Sequence, residues 1–407
     1  MARVIFVNRY FHPDFSATSQ MLGDLAFGLA ERGWQISVVT SRQIYDQPQA
    51  GLRPQELIAG VSVHRVTGTR FGRVGVLGRL CDYLSFHVAA AFKLRALLAP
   101  GDVVVAKTDP PLLGVTAGWI ARTRKAHSVN WLQDLFPEVL GAVAGKRAVA
   151  RAFIELLKGL RNRALMAAQR NVTIGERMRR HLQAQGVNAA LLTLIENWSD
   201  GQLVVPHDRR TNPLRLQWGL KQQLVVGYSG NLGVAHEFVT ILGAAELLQH
   251  RADVSFLFIG GGSRLAWLQQ QVAQRELRNV QFQPYQRREL LPQSLSVPDV
   301  HLVCLRADME GLVVPSKFYG VLAAGRACIF IGDLEGEIAL QLRKLDCGVA
   351  VRPGEVDELA GCIEMLANNP AQLEALGARA RTAFERDFDR SVGVDKWARL
   401  LAEVSRA

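Results

Sequence analysis

This 407-residue chain has no run of eighteen apolar residues, and its nearest approach, 112–120, is too short to span a bilayer. Its start also lacks the basic stretch, apolar core and small-residue cleavage site of a secretory leader. Cysteine is sparse: Cys81, Cys304, Cys328, Cys347 and Cys362 are odd in number and far apart. They form neither a disulfide framework nor a metal-ligand spacing, and they fit reduced core positions of a cytosolic protein. No metal site is expected. No Gly-x-Gly-x-x-Gly and no Gly-x-x-x-x-Gly-Lys-Ser/Thr occurs, which speaks against a dinucleotide oxidoreductase and a P-loop ATPase. Basic runs interleaved with aromatics and Cys/His finger spacings are missing too, so nucleic acid is not an expected partner. The low charged fraction of 21% beside 49% hydrophobic residues excludes a disordered or fibrous chain.

Short apolar runs alternate with amphipathic stretches twice over. In the first half the runs are 4–7, 36–40, Val61–Val66, Val103–Ala106, 129–132, 172–174 and 192–195. In the second they are 224–228, 254–259, 280–282, 300–305, Ala327–Ile331 and 349–351. Near-continuous apolar strands separated by helices imply parallel sheets covered on both faces. The polar, proline-bearing segment 199–218 reads as the connection between them. The expected fold is α/β, with two Rossmann-like parallel-sheet domains facing across a cleft. The expected boundaries are 1–198, 199–384, and a C-terminal helical segment 385–407 packing back on the first domain. Ligands of such sheets sit beyond the carboxyl ends of the strands. That rule singles out the loop 9–19 with His12 and Asp14, Asp134 after 129–132, and Asn197. In the second half it singles out Gly230-Asn231 and the Gly260-Gly261-Gly262 turn.

The densest signal is Glu310-Gly311-Leu312-Val313-Val314-Pro315-Ser316-Lys317-Phe318-Tyr319-Gly320. An acid, a tight turn and an apolar run deliver the chain through Pro-Ser into a helix. Ser316 is placed to act as N-cap, and the free first-turn N–H groups together with Lys317 suit an anion such as a diphosphate. Glu310 is placed to accept hydrogen bonds from hydroxyls of a neutral group beside that anion. As a bare pattern, an ordinary capped helix with solvated charges fits equally well.

Five stretches in this order resemble a known family. They are Tyr10-Phe11-His12-Pro13-Asp14, Trp131-Leu132-Gln133-Asp134-Leu135-Phe136-Pro137-Glu138, Glu196-Asn197-Trp198-Ser199-Asp200, Tyr228-Ser229-Gly230-Asn231-Leu232-Gly233, and Val314-Pro315-Ser316-Lys317-Phe318-Tyr319 with the Ala-Ala-Gly-Arg that follows. Over nearly its whole length the chain resembles the retaining GT-B glycosyltransferases of family 4 (group 1). Within them it is most similar to bacterial capsule, O-antigen and colanic-acid enzymes, including N-acetyl-L-fucosamine transferases. The resemblance implies transfer of a sugar, possibly an N-acetylated hexosamine, from a nucleoside diphosphate (UDP is expected). It implies a lipid-linked acceptor of the undecaprenyl-diphosphate type, no tightly held cofactor, and attack on the same face as the departing phosphate. The implied catalytic group is Asp134, Glu310, Lys317 and His12. The implied donor site is Gly230, Asn231, Gly260, Gly261, Tyr285, Arg306, Gly311, Leu312, Val313 and Ser316.

Two positions depart from the family pattern. Gly320 stands where close relatives carry a ribose-binding acid, and Asn231 and His236 stand where an Arg and a Lys often clamp the diphosphate. Arg306 and Lys317 are the nearest substitutes by motif position. These departures keep open a catalytically inactive sugar-binding relative, and a GT-B UDP-sugar epimerase or hydrolase stands as a further alternative. Finally, 139–179 pairs Phe153, Ile154, Leu156, Leu157, Leu160 and Leu165 with Lys146, Arg151, Lys158, Arg161, Arg163 and Arg170, within a net charge of +11. A basic amphipathic helix can lie on anionic lipid or bury its leucines on a sheet. The resemblance favours lipid, and with it a peripheral enzyme on the inner face of the cell membrane.

Overall fold

The computed structural model describes residues 3–45, 47, 49–71, 75–144, 148–220 and 223–406; the side chains at 76, 143, 144 and 148–151 lie outside the described set. The chain forms two compact units. Unit 1 comprises Met1–Asn197, Gly311–Val313 and Arg390–Ala407; unit 2 comprises Trp198–Glu310 and Val314–Asp389.

Unit 1 holds an eight-stranded sheet built from β1 (Val4–Val7), β2 (Ile36–Ser41), β3 (Gln55–Ile58), β4 (Val61–Val66), β5 (Val103–Ala106), β6 (His127–Trp131), β7 (Arg170–Thr173) and β8 (Leu192–Leu194). Their order is β3-β4-β2-β1-β5-β6-β7-β8, and only the β3–β4 pair is antiparallel. Every residue of β1, β2 and β5 is buried, as expected of central strands covered on both faces. The alternation of half-buried and exposed residues in β3 marks a sheet edge. A two-residue turn joins β3 to β4, with Ala59 (φ 45°) and Gly60 (φ 80°) both left-handed. Sequence periodicity did not foresee β3 or the helix Gly75–Leu97.

The C-terminal helix Arg390–Val404 lies against the helix Ala17–Glu31 in unit 1. Gly28 makes this approach possible, since a Cβ there would lie 3.0 Å from Val394. The Trp397 ring sits 4.8 Å from that of Trp131. Lys396 pairs with Glu196 at 2.9 Å and Arg32 with Asp395 at 2.6 Å.

Unit 2 holds an all-parallel six-stranded sheet of β9 (Leu224–Asn231), β10 (Val254–Gly261), β11 (Val280–Gln283), β12 (Val300–Cys304), β13 (Ala327–Ile331) and β14 (Gly348–Val351), ordered β11-β10-β9-β12-β13-β14. The segment 199–218, which reads from sequence as a connection, is folded into this unit. Asn212 caps the short helix Pro213–Gln217. Arg215 is wholly buried, donating to the carbonyls of Leu220 and Val297 and pairing with Asp299 at 2.9 Å. A polar composition concealed a core ion pair. The five cysteines are free thiols, with Cys304, Cys328 and Cys347 buried.

Candidate functional site

Each sheet reverses its winding at one place. In unit 1 this switch point lies between β1 and β5, and in unit 2 between β9 and β12. The loops leaving those strands form the natural ligand crevice of an open parallel sheet.

In unit 2, β9 ends in Gly230 (φ 121°) and Asn231, and β10 ends in Gly260 (φ 138°) and Gly261, followed by Gly262 (φ 147°). Glycine is required here for two reasons. The backbone angles are left-handed, and a Cβ on Gly260 would fall 2.1 Å from the Gly230 carbonyl oxygen. A Cβ on Gly262 would meet Asn231 Oδ1 at 2.5 Å. Tyr228, at the core end of the same turn, donates its hydroxyl to the Asn231 carbonyl at 2.9 Å. Lys317 opens the helix Lys317–Ala323 and reaches this floor. Its Nζ stands 3.6 Å from the centroid of the Tyr228 ring, donates to the Tyr228 hydroxyl, and lies 3.5 Å from His236 Nε2. Burial lowers the Lys317 pKa to about 7. Burial, then the Lys317 charge, lowers His236 to about 3, so its ring is neutral. The site therefore holds an amine, Lys317, poised to take up a proton when an anion arrives.

Other sequence candidates take different places. Arg306 follows β12, but its guanidinium pairs with Asp308 at 2.5 Å and also donates to the Val234 carbonyl at 3.3 Å. Tyr285 is 60% exposed beside Gly261, donating to its carbonyl at 3.2 Å. Ser316 precedes the Lys317 helix as expected, but it makes no side-chain cap. Its helical backbone (φ −61°, ψ −21°) turns the hydroxyl away from the first-turn N–H groups. Phe318 and Tyr319 instead donate to the carbonyls of Pro315 and Ser316, so the first turn is less open to an anion than the sequence implied. Glu310 Oε1 accepts from the Glu337 N–H at 2.8 Å at the start of the helix Glu337–Leu345. Gly311, Leu312 and Val313 group with unit 1, where the Leu135 N–H donates to the Leu312 carbonyl at 2.9 Å and Asp134 bridges Val313.

In unit 1, His12 is exposed after β1, its carbonyl accepting from Arg65 at 2.8 Å. Asp14 is buried and holds the loop by accepting from the Ser16 and Tyr45 N–H groups at 2.8 and 2.6 Å. Asp134 follows β6 and lines a small cavity with Lys107, Thr108, Pro111 and Asn130. Its carboxyl is crowded by surrounding atoms, which raises its pKa to about 6, while Lys107 pulls it back down. The residue is nevertheless exposed to water. Lys107 is buried over the Trp131 ring at 4.1 Å, donates to the Thr18 carbonyl at 2.6 Å, and is lowered by burial to about 7. Asp109 is raised by burial to about 6. Sequence reasoning missed Lys107 and Asp109. Their signal was Lys-Thr-Asp-Pro-Pro directly after the fully buried β5, at the switch point.

Two readings are corrected. Asn197 exchanges amide hydrogen bonds with Gln133 at 3.0 and 3.1 Å and is buried, so it is a structural clasp and offers no open amide. In the helix Ala148–Ala167, Arg161 is not on a lipid-facing side. It is buried in a bidentate pair with Glu138, both contacts 2.8 Å, while Ile154 and Leu165 also point inward. Glu138 opens the helix Glu138–Ala144 and is the centre of this ion pair. Lys146 lies outside the described residues, as does the side chain of Arg151.

Among the described residues, no group of three or more His, Cys, Asp or Glu is placed to hold a metal ion, and no helix is long and apolar enough to cross a membrane. Comparison with known proteins agrees with the geometry. Residues 17–198 match the glycosyl transferase 4-like domain and residues 213–383 match glycosyl transferases group 1. WcaI of Escherichia coli (strain K12), whose name assigns it to colanic acid biosynthesis as a glycosyl transferase, is 26% identical over 92% of this chain and 90% of its own length. WbjE of Pseudomonas aeruginosa, named as a glycosyltransferase, is 27% identical over 75% of this chain and 76% of its own. Among solved structures, sucrose-phosphate synthase from Thermosynechococcus elongatus superposes with a TM-score of 0.78 at 16% identity, covering 99% of both chains. Anabaena HepE in complex with UDP gives 0.73 at 16% identity, covering 98% of this chain and 100% of its own. The two family models together account for both units, and the chain belongs to the group 1 glycosyltransferases of the GT-B fold, enzymes that depend on nucleotide-sugar donors.

Proposed function

We propose that this enzyme transfers a sugar from a UDP-linked donor to a hydroxyl of a lipid-linked saccharide, with retention, during synthesis of a bacterial surface polysaccharide. The observation that carries the donor half is the turn floor of Gly230, Gly260 and Gly262 with the Lys317 ammonium above the Tyr228 ring. The glycines let the ends of β9 and β10 close together beside Lys317, and a partly buried amine with a pKa near 7 is stabilised in its charged form by a diphosphate. The UDP bound in the HepE structure supports the choice of nucleotide. The name of WcaI supports the polysaccharide setting. The donor loop carries no Arg or Lys at Asn231 and His236, so Lys317 bears most of the leaving-group charge with help from Arg306.

In the step itself, the acceptor oxygen bonds to the anomeric carbon as the bond from that carbon to the donor phosphate oxygen breaks. The hydroxyl proton passes to the departing phosphate, on the same face. Asp134 orients the acceptor hydroxyl by accepting its hydrogen bond before transfer. The acceptor is an undecaprenyl-diphosphate-linked saccharide, met at the inner face of the cell membrane.

Titration calorimetry with UDP and with uridine tests the donor site. UDP should bind about a hundredfold more tightly than uridine, and Lys317→Ala should remove most of that difference. Equal affinities for UDP and uridine, unchanged in the variant, would sink the assignment. A donor-by-acceptor screen that reads product mass and anomeric linkage tests retention and acceptor class together.

A further inference from the structure

The helix Gly75–Leu97 is apolar on two opposite sides. Phe86, Ala90 and Leu94 pack into the core beneath it. Leu84, Val88 and Phe92 form a second stripe two residues out of step, about 200° around the helix, and so on the far side. With Leu77 and Leu80 these side chains are 49 to 78% exposed. The helix Leu113–Thr123 packs alongside and adds Trp119, and the helix Ala148–Ala167 packs beside that and adds Leu156 and Leu160, all exposed. Soluble surfaces rarely gather so many large apolar groups on adjoining helices.

The charges on this face are predominantly positive. Arg95, Arg122 and Arg163 are exposed, each one or two helical turns from Val88, Trp119 and Leu156 respectively. Asp82, the only acid of the first helix, is buried and pairs with Arg9 at 3.2 Å. Glu155, the only acid of the third, is held by Lys158 at 2.7 Å. The second helix carries no acid. A protein partner or a second copy of this chain would have to match greasy side chains set among an excess of positive charge. An anionic bilayer supplies acyl chains and phosphates in that arrangement.

We propose that this three-helix face is the membrane-docking surface, with the helix Gly75–Leu97 lying in the plane of an anionic leaflet. Leu77, Leu80, Leu84, Val88 and Phe92 enter the acyl region while the arginines reach lipid phosphates. At about 1.5 Å per residue the helix lies some 35 Å along the surface. The proposal rests on the reading of a lipid-linked acceptor only in needing a membrane setting. It keeps the exposed side of 148–167, drops Arg161, which is buried, and centres the contact on the helix Gly75–Leu97.

Flotation of the full chain with phosphatidylcholine vesicles, with and without about a third phosphatidylglycerol, tests it, alongside Leu84→Ser/Phe92→Ser and Arg95→Glu/Arg163→Glu variants. Wild type should float with the anionic vesicles at low salt and lose most binding at high salt. Each double variant should bind about tenfold or more weakly, with unchanged melting, because all four side chains face solvent. Variants that float like wild type would overturn the proposal, as would a wild type that floats with neither vesicle. Sedimentation showing a dimer that the serine variant dissolves, without flotation, would also overturn it and assign the face to a second copy. UDP titration of the same preparations reports on the donor site separately, so failure of either reading is recognised on its own.

Discussion

Asp134 and Lys107 show how position changes the proton affinity of single side chains. Asp134 would be an ordinary solvated carboxylate elsewhere; crowding raises its pKa to about 6. If it accepts the acceptor's hydrogen bond as a carboxylate, turnover falls as pH drops through about 6 and levels above it. Asp134→Asn should lower kcat by about a hundredfold, leave UDP affinity within about twofold, and abolish that acid limb. A retained limb in the variant would transfer the titration to another group, Asp109 being the nearest by pKa, at about 6. At this scale the sequence was only partly legible. Lys317 and the glycines were readable because a motif announces them. The pairing of Gln133 with Asn197, or of Glu310 with the Glu337 N–H, joins residues distant along the chain through side-chain geometry that no spacing encodes.

Among elements, strands were easier to read than helices. All-apolar runs such as Val4–Val7 and Ala327–Ile331 carry their burial in composition alone. The helix Gly75–Leu97 gave no single stripe because both of its sides are apolar. The helices Glu138–Ala144 and Ala148–Ala167 are joined by Glu138 and Arg161, with Gln185 and His181 also bonding the carboxylate. Burial alone would raise the Glu138 pKa, but hydrogen bonds from His181, Arg161 and Gln185 and the Arg161 charge hold it at about 2. Because the folded pKa lies below the unfolded value, the unfolded chain takes up the proton first on acidification. The contribution is complete above about pH 4.5 and is lost as pH falls toward about 2. Glu138→Gln should cost unit 1 on the order of 3 kcal/mol at pH 7. Melting curves should show the gap to wild type closing between pH 4.5 and pH 2; a constant gap would remove the pair from the acid response.

At the scale of the whole molecule, the two-domain α/β plan follows from two alternating series of strands and helices. What the alternation hides is that unit 1 takes residues from both ends of the chain. Trp397 is fully buried against Trp131, so Trp397→Ala should destabilise unit 1 by about 3–5 kcal/mol. Calorimetry should show the unit 1 transition moving down while that of unit 2 stays; a joint shift of both would contradict separate cores.

The same connectivity orders events during synthesis. A chain emerges from the ribosome N-terminus first, at about 5–20 residues per second. The first 197 residues of unit 1 therefore emerge before all of unit 2, and the helix Arg390–Val404 that covers Trp131 follows it. For roughly 10 to 40 s the nascent first unit waits with that side of its sheet bare. Unit 2, contiguous but for Gly311–Val313, can close in the meantime. Unit 1 is closed by a helix made after unit 2, and a ribosome that stops before Trp397 leaves a folded second unit attached to an unfinished first one.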